Sequence, residues 1–320
     1  MECARVFLLL LPAVAARPAA AMGAAPYSSK IGIHLLVSYT PGAEKIVRAK
    51  CPIIKLLDVT PDMMRALADY RAANPEGTVV LRIYTPVRYS ASDNAEQKAK
   101  EFWDSVLWPQ LSRLTPLQRS QIDYVEGPNE CDTTPCWASV DDVKWFTRFW
   151  VALAPLMARH HFRPCIGSIP VGNPPGPPKE VEAKIREFIP ALKVAKKLGG
   201  SWCYHSYTLK YTKDPEVERH YSLRYRSFYE ILAKHAPELG NLPMLLTEGG
   251  VDNDGSHPEN PGWKRDSAEK FQDWLKWFDC EIGKDTYIKG VTLFQIGDPR
   301  GWGSFDLEPM ADWLASYLSR

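Results

Sequence analysis

The sequence predicts a single-domain α/β fold, a (β/α)8 barrel, and three observations carry that expectation. Short apolar, β-branched runs recur eight times, at residues 31–37, 52–57, 78–84, 122–127, 163–168, 201–207, 243–247 and 290–296. Longer stretches with helical spacing lie between them, and eight strand–helix units are the number that a closed parallel barrel requires. The rival α/β solution, an open doubly wound sheet, calls for a Gly-rich phosphate turn after its first strand. Here Ile33 to Tyr39 leads into Thr40-Pro41-Gly42, without G-x-G-x-x-G spacing, and the sequence has no G-x-x-x-x-G-K-[ST].

The helices announce themselves by their caps. Thr60-Pro61 opens one, with Pro in the first turn that suits it. Ser139 opens the clearest: Asp142 follows three residues later, then Val143, Phe146, Trp150 and Leu153 recur at helical spacing. Ser267 opens a third, with an apolar stripe of Phe271, Trp274, Leu275 and Phe278, and residues 310–318 close the chain with a fourth. Residues 171–178 are rich in Pro and Gly but directly follow the fifth strand. They read as a rigid loop on the barrel rim, so residues 26–320 form one domain.

Composition bounds the rest. Of the 320 residues, 45% are hydrophobic and 24% charged, which excludes a disordered or collagen-like chain. With 39 basic and 38 acidic residues, the chain has no long-range field to draw nucleic acid or an anionic membrane. An excess of Trp suits core packing and also ligands that stack, such as sugars. Residues 6–16 are apolar except for Pro12, follow Arg5 and lead into Ala19-Ala20-Ala21, so residues 1–25 read as an export signal. The product is then expected to be secreted or periplasmic, with no membrane association after signal removal. Six cysteines remain after the signal, an even number that fits an oxidising compartment. Cys131 and Cys136 bracket a short loop and are expected to be bridged. Cys165 and Cys203 sit in strand-like runs as buried thiols. Zinc is not expected, because the sequence has no second paired-Cys knuckle.

In barrels the chemistry sits at the C-terminal ends of the strands. Strand four ends Val125-Glu126-Gly127-Pro128-Asn129-Glu130, and strand seven ends Leu246-Thr247-Glu248-Gly249-Gly250. Both runs turn at Gly or Pro and leave Glu130 and Glu248 at the mouth, on strands expected to lie opposite each other. Two facing carboxylates suit glycosidic bond cleavage, in which one protonates the leaving oxygen and the other attacks the sugar. Glu126, earlier on strand four, is expected to pair internally with a cation such as Arg82.

Gly127-Pro128-Asn129-Glu130 and Thr247-Glu248-Gly249 resemble the two signature segments of the retaining (β/α)8 glycoside hydrolases of clan A. The resemblance implies that Glu130 is acid/base, Glu248 nucleophile and Asn129 a partner of the sugar 2-hydroxyl. It also implies site roles for His205 and Tyr207, which period two places on one face of strand six, the Tyr phenol holding the nucleophile. Arg82, inward on strand three, needs an anion, and Glu248 is the candidate. His34 is either a core hydrogen-bonder or a sugar ligand. Many clan members place a Trp at the end of strand eight; here Phe294 and Gln295 stand there, and Trp302 follows in a Gly-rich loop as a substitute platform. Trp137 and Trp263, in loops after strands four and seven, are either further stacking candidates or loop packing.

The resulting expectation is an exported retaining hydrolase of an oligo- or polysaccharide that needs no cofactor and no metal. His34, His205 and Asp58 are too scattered in sequence for a clear metal cluster. The alternative is a barrel that binds carbohydrate without catalysis. The sugar, the linkage and the oligomeric state are not legible.

Overall fold

The computed structural model of the protein describes residues 28–252 and 262–319. The segment read as an export signal lies outside the described residues. Eight parallel strands close into a barrel in sequence order: β1 (Ile31–Leu35), β2 (Ile53–Leu57), β3 (Thr78–Arg82), β4 (Tyr124–Glu126), β5 (Pro164–Ile169), β6 (Ser201–Thr208), β7 (Met244–Val251) and β8 (Ile288–Ile296). Closure is the β1–β8 pairing, in which Ile31 faces Val291 and Ile33 faces Leu293. Every sequence-predicted strand is present. β4 and β7 are separated by β5 and β6, so they sit three places apart in the ring rather than diametrically opposed.

The caps work as their sequences predict. Thr60 accepts from the Met63 N–H, Ser139 and Asp142 form a reciprocal capping box over Val140–Arg159, and Ser267 accepts from the Lys270 N–H. Val143, Phe146, Trp150 and Leu153 are all buried against the barrel. The loop after β5 is tied down as expected for a rigid rim: Arg224 donates to the carbonyls of Asn173 and Pro174, and Lys184 to that of Pro175.

The barrel interior is layered, as the two-residue period of a strand requires. Ile53, Val80, Tyr124, Cys165, Cys203 and Leu245, one from each of β2 to β7, form a buried plug. Two residues further along five of the same strands come Lys55, Arg82, Glu126, His205 and Thr247, all buried. The floor is therefore apolar and the layer above it is ionic. Most Trp residues belong to the shell between strands and helices, and Trp302 alone among the eleven is exposed.

Candidate active site

Glu130 follows β4 and Glu248 lies within β7. Gly127 permits the tight passage at the end of β4, because a Cβ there would lie 2.3 Å from the Trp150 ring. Glu130 itself has φ 45°, a left-handed conformation that costs an L-residue roughly 1–2 kcal/mol. Around Glu248 the register of β7 shifts against β6, between Cys203 and His205, and against β8, between Leu246 and Gly249. Such irregularities re-aim a side chain; here Thr247 stays within the buried layer while Glu248 reaches the cleft.

The two acids meet around His205. One oxygen of Glu130, one nitrogen of His205 and one oxygen of Glu248 all lie within 4.8 Å of one another. His205 Nδ1 is 2.6 Å from Glu130 Oε1 and 3.5 Å from Glu248 Oε2. Its Nε2 is 3.2 Å from Ser168 Oγ and 3.5 Å from Glu126 Oε1. Burial opposes charging this ring, but Glu248, Glu126 and Glu130 outweigh burial and push it up to about 10. His205 is therefore an imidazolium at neutral pH.

Glu248 is held on both oxygens. The Tyr207 hydroxyl donates to Oε2 at 2.8 Å, and Lys55 Nζ donates to Oε1 at 3.1 Å. Arg82 approaches Oε1 to 3.6 Å, as expected of an inward Arg on β3. Burial alone would raise the Glu248 pKa, but His205, Lys55 and Arg82 outweigh it and hold the carboxyl well below its ordinary range. Burial also forces Tyr207 to stay a neutral phenol, beside the anion of Glu248. Asn129 accepts a short hydrogen bond from Arg82 and donates to Asp132 at 3.0 Å.

Glu126 pairs internally with a cation as expected, but the cation is Lys55 on β2, 2.7 Å away, with Ser168 and Thr247 hydroxyls donating to its other oxygen at 2.8 and 3.1 Å. Arg82, on the adjacent β3 and the register partner of Glu126, is drawn to Asn129 and Glu248 instead. Lys55 had a legible signal, a single charge inside the apolar run Ile53-Ile54-Lys55-Leu56-Leu57. His34 is buried, neither ring nitrogen has a hydrogen-bond partner among the described residues, and its edge contacts Phe294. Burial and the nearby Lys55 hold it neutral.

These groups open into a cleft of about 500 Å³ whose lining includes Arg82, Glu130, Tyr207, Glu248, Phe294 and Trp302. Trp302 stands at its edge, 48% exposed, its ring against Phe294 and Phe305. Trp137 and Trp263 are not platforms. Trp137 is enclosed by Phe146 and Phe188, and Trp263 stacks on Phe271 while donating to the Phe305 carbonyl. Each follows a rim loop in sequence but is drawn under it by aromatic packing. Cys131 and Cys136 are bridged directly after Glu130, and Cys51, Cys165 and Cys203 are buried thiols.

No protein-family model and no curated protein matches the sequence. Among solved structures, the chain is similar to a 4-O-α-L-rhamnosyl-β-D-glucuronidase from Fusarium oxysporum 12S, at 11% identity and TM-score 0.53, covering 91% of this chain and 69% of that one. It is also similar to a β-glucosidase from Exiguobacterium marinum, at 9% identity and TM-score 0.46, covering 92% and 99%. A mannanase catalytic domain from Streptomyces sp. SirexAA-E shares 13% identity at TM-score 0.44, covering 87% and 78%. The shared feature is the fold. The (β/α)8 barrel expected of clan A is the barrel that this chain has.

Glu130, His205 and Glu248 offer three metal-ligand atoms. Their surroundings suit a cation poorly. Lys55 and Arg82 already approach Glu248, and a ligating His205 would have to lose the proton that its three carboxylates hold.

Proposed function

We propose that the chain is a retaining glycoside hydrolase of clan A, exported, and acting on an oligo- or polysaccharide in the cleft between Trp302 and Glu130. The observation that carries this reading is the approach of one Glu130 oxygen to within 4.8 Å of one Glu248 oxygen, across an open cleft. Retaining pairs stand about 5–5.5 Å apart, whereas inverting pairs leave about 6.5–9.5 Å for a water.

The environments support a different role for each acid. Glu248, ringed by cations, is the anion that attacks the anomeric carbon. Glu130, 2.6 Å from His205 Nδ1, is the acid/base. In the first step Glu130 delivers a proton to the glycosidic oxygen while the bond to the Glu248 carboxylate forms and the leaving sugar departs. In the second step Glu130 takes a proton from water, the water oxygen bonds to the anomeric carbon, and Glu248 leaves as a carboxylate. Asn129 is the proposed partner of a sugar hydroxyl, a reading supported by its hold on Arg82 and Asp132. No step calls for a metal or an organic cofactor.

The test is a screen of the protein against a panel of polysaccharides, with products resolved by size and the first-formed anomer read by proton NMR. Cleavage with retained configuration is expected. Binding without cleavage would replace the hydrolase with a carbohydrate-binding barrel.

A further inference from the structure

The chemistry above leaves two fully buried charges unused, Lys55 and Glu126. Lys55 Nζ bridges Glu126 Oε2 at 2.7 Å and Glu248 Oε1 at 3.1 Å. A buried ion pair is a poor way to gain stability, because apolar side chains of similar volume do as well or better. The layer directly beneath shows that this barrel can fill its interior that way. A charge kept at this position therefore needs a purpose, and its second partner is the nucleophile.

We propose that Lys55 is a positioning residue for Glu248 and that Glu126 is the anchor that aims it. This rests on the hydrolase reading. Tyr207 grips one oxygen of Glu248 and Lys55 the other, so the carboxylate plane is fixed from two sides. Glu126 is itself clamped by Ser168 and Thr247, which stops the Lys55 ammonium from swinging away. The ammonium also lies where negative charge returns when the glycosyl–enzyme is hydrolysed, so its charge favours the second step, while in the first its contribution is to orient the carboxylate. Among the described residues, the other groups facing Glu248 are His34 on β1, Arg82 on β3, Glu130 after β4, and His205 and Tyr207 on β6. Of these cations His205 also approaches Glu126, but Lys55 is closer to both acids.

Lys55→Met alone leaves two carboxylates facing each other and is apt to unfold the barrel. The informative variant is Lys55→Met with Glu126→Gln, which removes one charge of each sign and leaves an amide oxygen for the Ser168 and Thr247 hydroxyls. Glu126→Gln alone and Lys55→Arg are the companions. Folding is checked by circular dichroism and melting. For the folded double variant, the Glu248 carboxyl titration followed by carbon-13 NMR is expected to move up by about one pH unit or more. This readout needs no substrate, so it stands even if no hydrolysis is found. On an activated aryl glycoside that the wild type cleaves, kcat is expected to fall about tenfold or more with KM little changed, and the acidic limb of kcat/KM to move with the NMR midpoint. Lys55→Arg should recover part of the loss, and Glu126→Gln alone should fall in between. A folded double variant with an unmoved Glu248 titration and wild-type kcat would overturn the proposal. Absence of any wild-type hydrolysis alongside a shifted titration would instead overturn the hydrolase reading and leave the Lys55–Glu248 coupling standing.

Discussion

His205 Nδ1 lies 2.6 Å from Glu130 Oε1, while the other nitrogen of the same ring faces Ser168 and Glu126. The ring thus couples the proposed acid/base to the buried ionic layer beneath it. Its folded pKa, near 10, stands above the ordinary 6.5. A group raised in this way contributes stability that is complete below about pH 6.5 and is lost as pH climbs through about 10. The wild-type melting temperature should fall across that window. In His205→Gln the slope over the same window should flatten, and nitrogen-15 spectra of the wild type should show both ring nitrogens protonated at pH 8. A neutral His205 at pH 8 would contradict the raised pKa and its dependence on the surrounding carboxylates.

Trp302 is an exposed aromatic at the cleft, as is Tyr84, and Trp137 and Trp263 are packing. Trp302→Ala should weaken glycan affinity about tenfold, a change of ~1.4 kcal/mol, with little change in melting. Trp137→Ala should cost ~3–5 kcal/mol of stability in chemical denaturation. An unaltered glycan Kd in Trp302→Ala would remove it as a platform.

The Cys131–Cys136 bridge closes a loop directly after Glu130. A loop this short limits its entropic contribution to ~2 kcal/mol. Replacing both cysteines by Ser should therefore reduce kcat by a larger factor than melting suggests, because the backbone that carries Glu130 is loosened. Alkylation of the native, unreduced chain should label neither thiol.

Metal removal should leave hydrolysis unaffected. The only described trio of potential ligands is Glu130, His205 and Glu248, and its charge is already met by Lys55, Arg82 and the proton on His205. Loss of activity in a chelator, restored by a divalent ion, would contradict this.

The eight strands were legible because a parallel strand buried on both faces is a short apolar run, and the caps at Thr60, Ser139 and Ser267 were legible because capping is local. Period two put His205 and Tyr207 on one face, the inward place of Arg82 on β3 pointed to Glu248, and the resemblance to clan A implied the grip of Tyr207 on Glu248; the meeting of Glu130 with His205 had no sequence signal. Arg82 is level with Glu126 on the neighbouring strand, yet Glu126 meets Lys55 from two strands away; the choice is made by where the long side chains reach inside the barrel, which no local pattern encodes. The fates of Trp137 and Trp263 hang on Phe146, Phe188 and Phe271, all in later helices. Lys55 was visible as a charge in an apolar strand, and only its second partner, Glu248, gives it a purpose.

The division of labour between the two glutamates is tested most directly by Glu130→Ala on a dinitrophenyl glycoside of the cleaved sugar, with and without azide. That leaving group needs little protonation, so the first step should proceed and the glycosyl–Glu248 ester should accumulate. Azide needs no base, and it should restore turnover and yield a glycosyl azide of the original anomeric configuration. On unactivated substrate the same variant should lose ~10²–10⁴-fold, and Glu248→Ala should be inactive on both. Equal loss on activated and unactivated substrates, with no azide product, would show that Glu130 is not the acid/base.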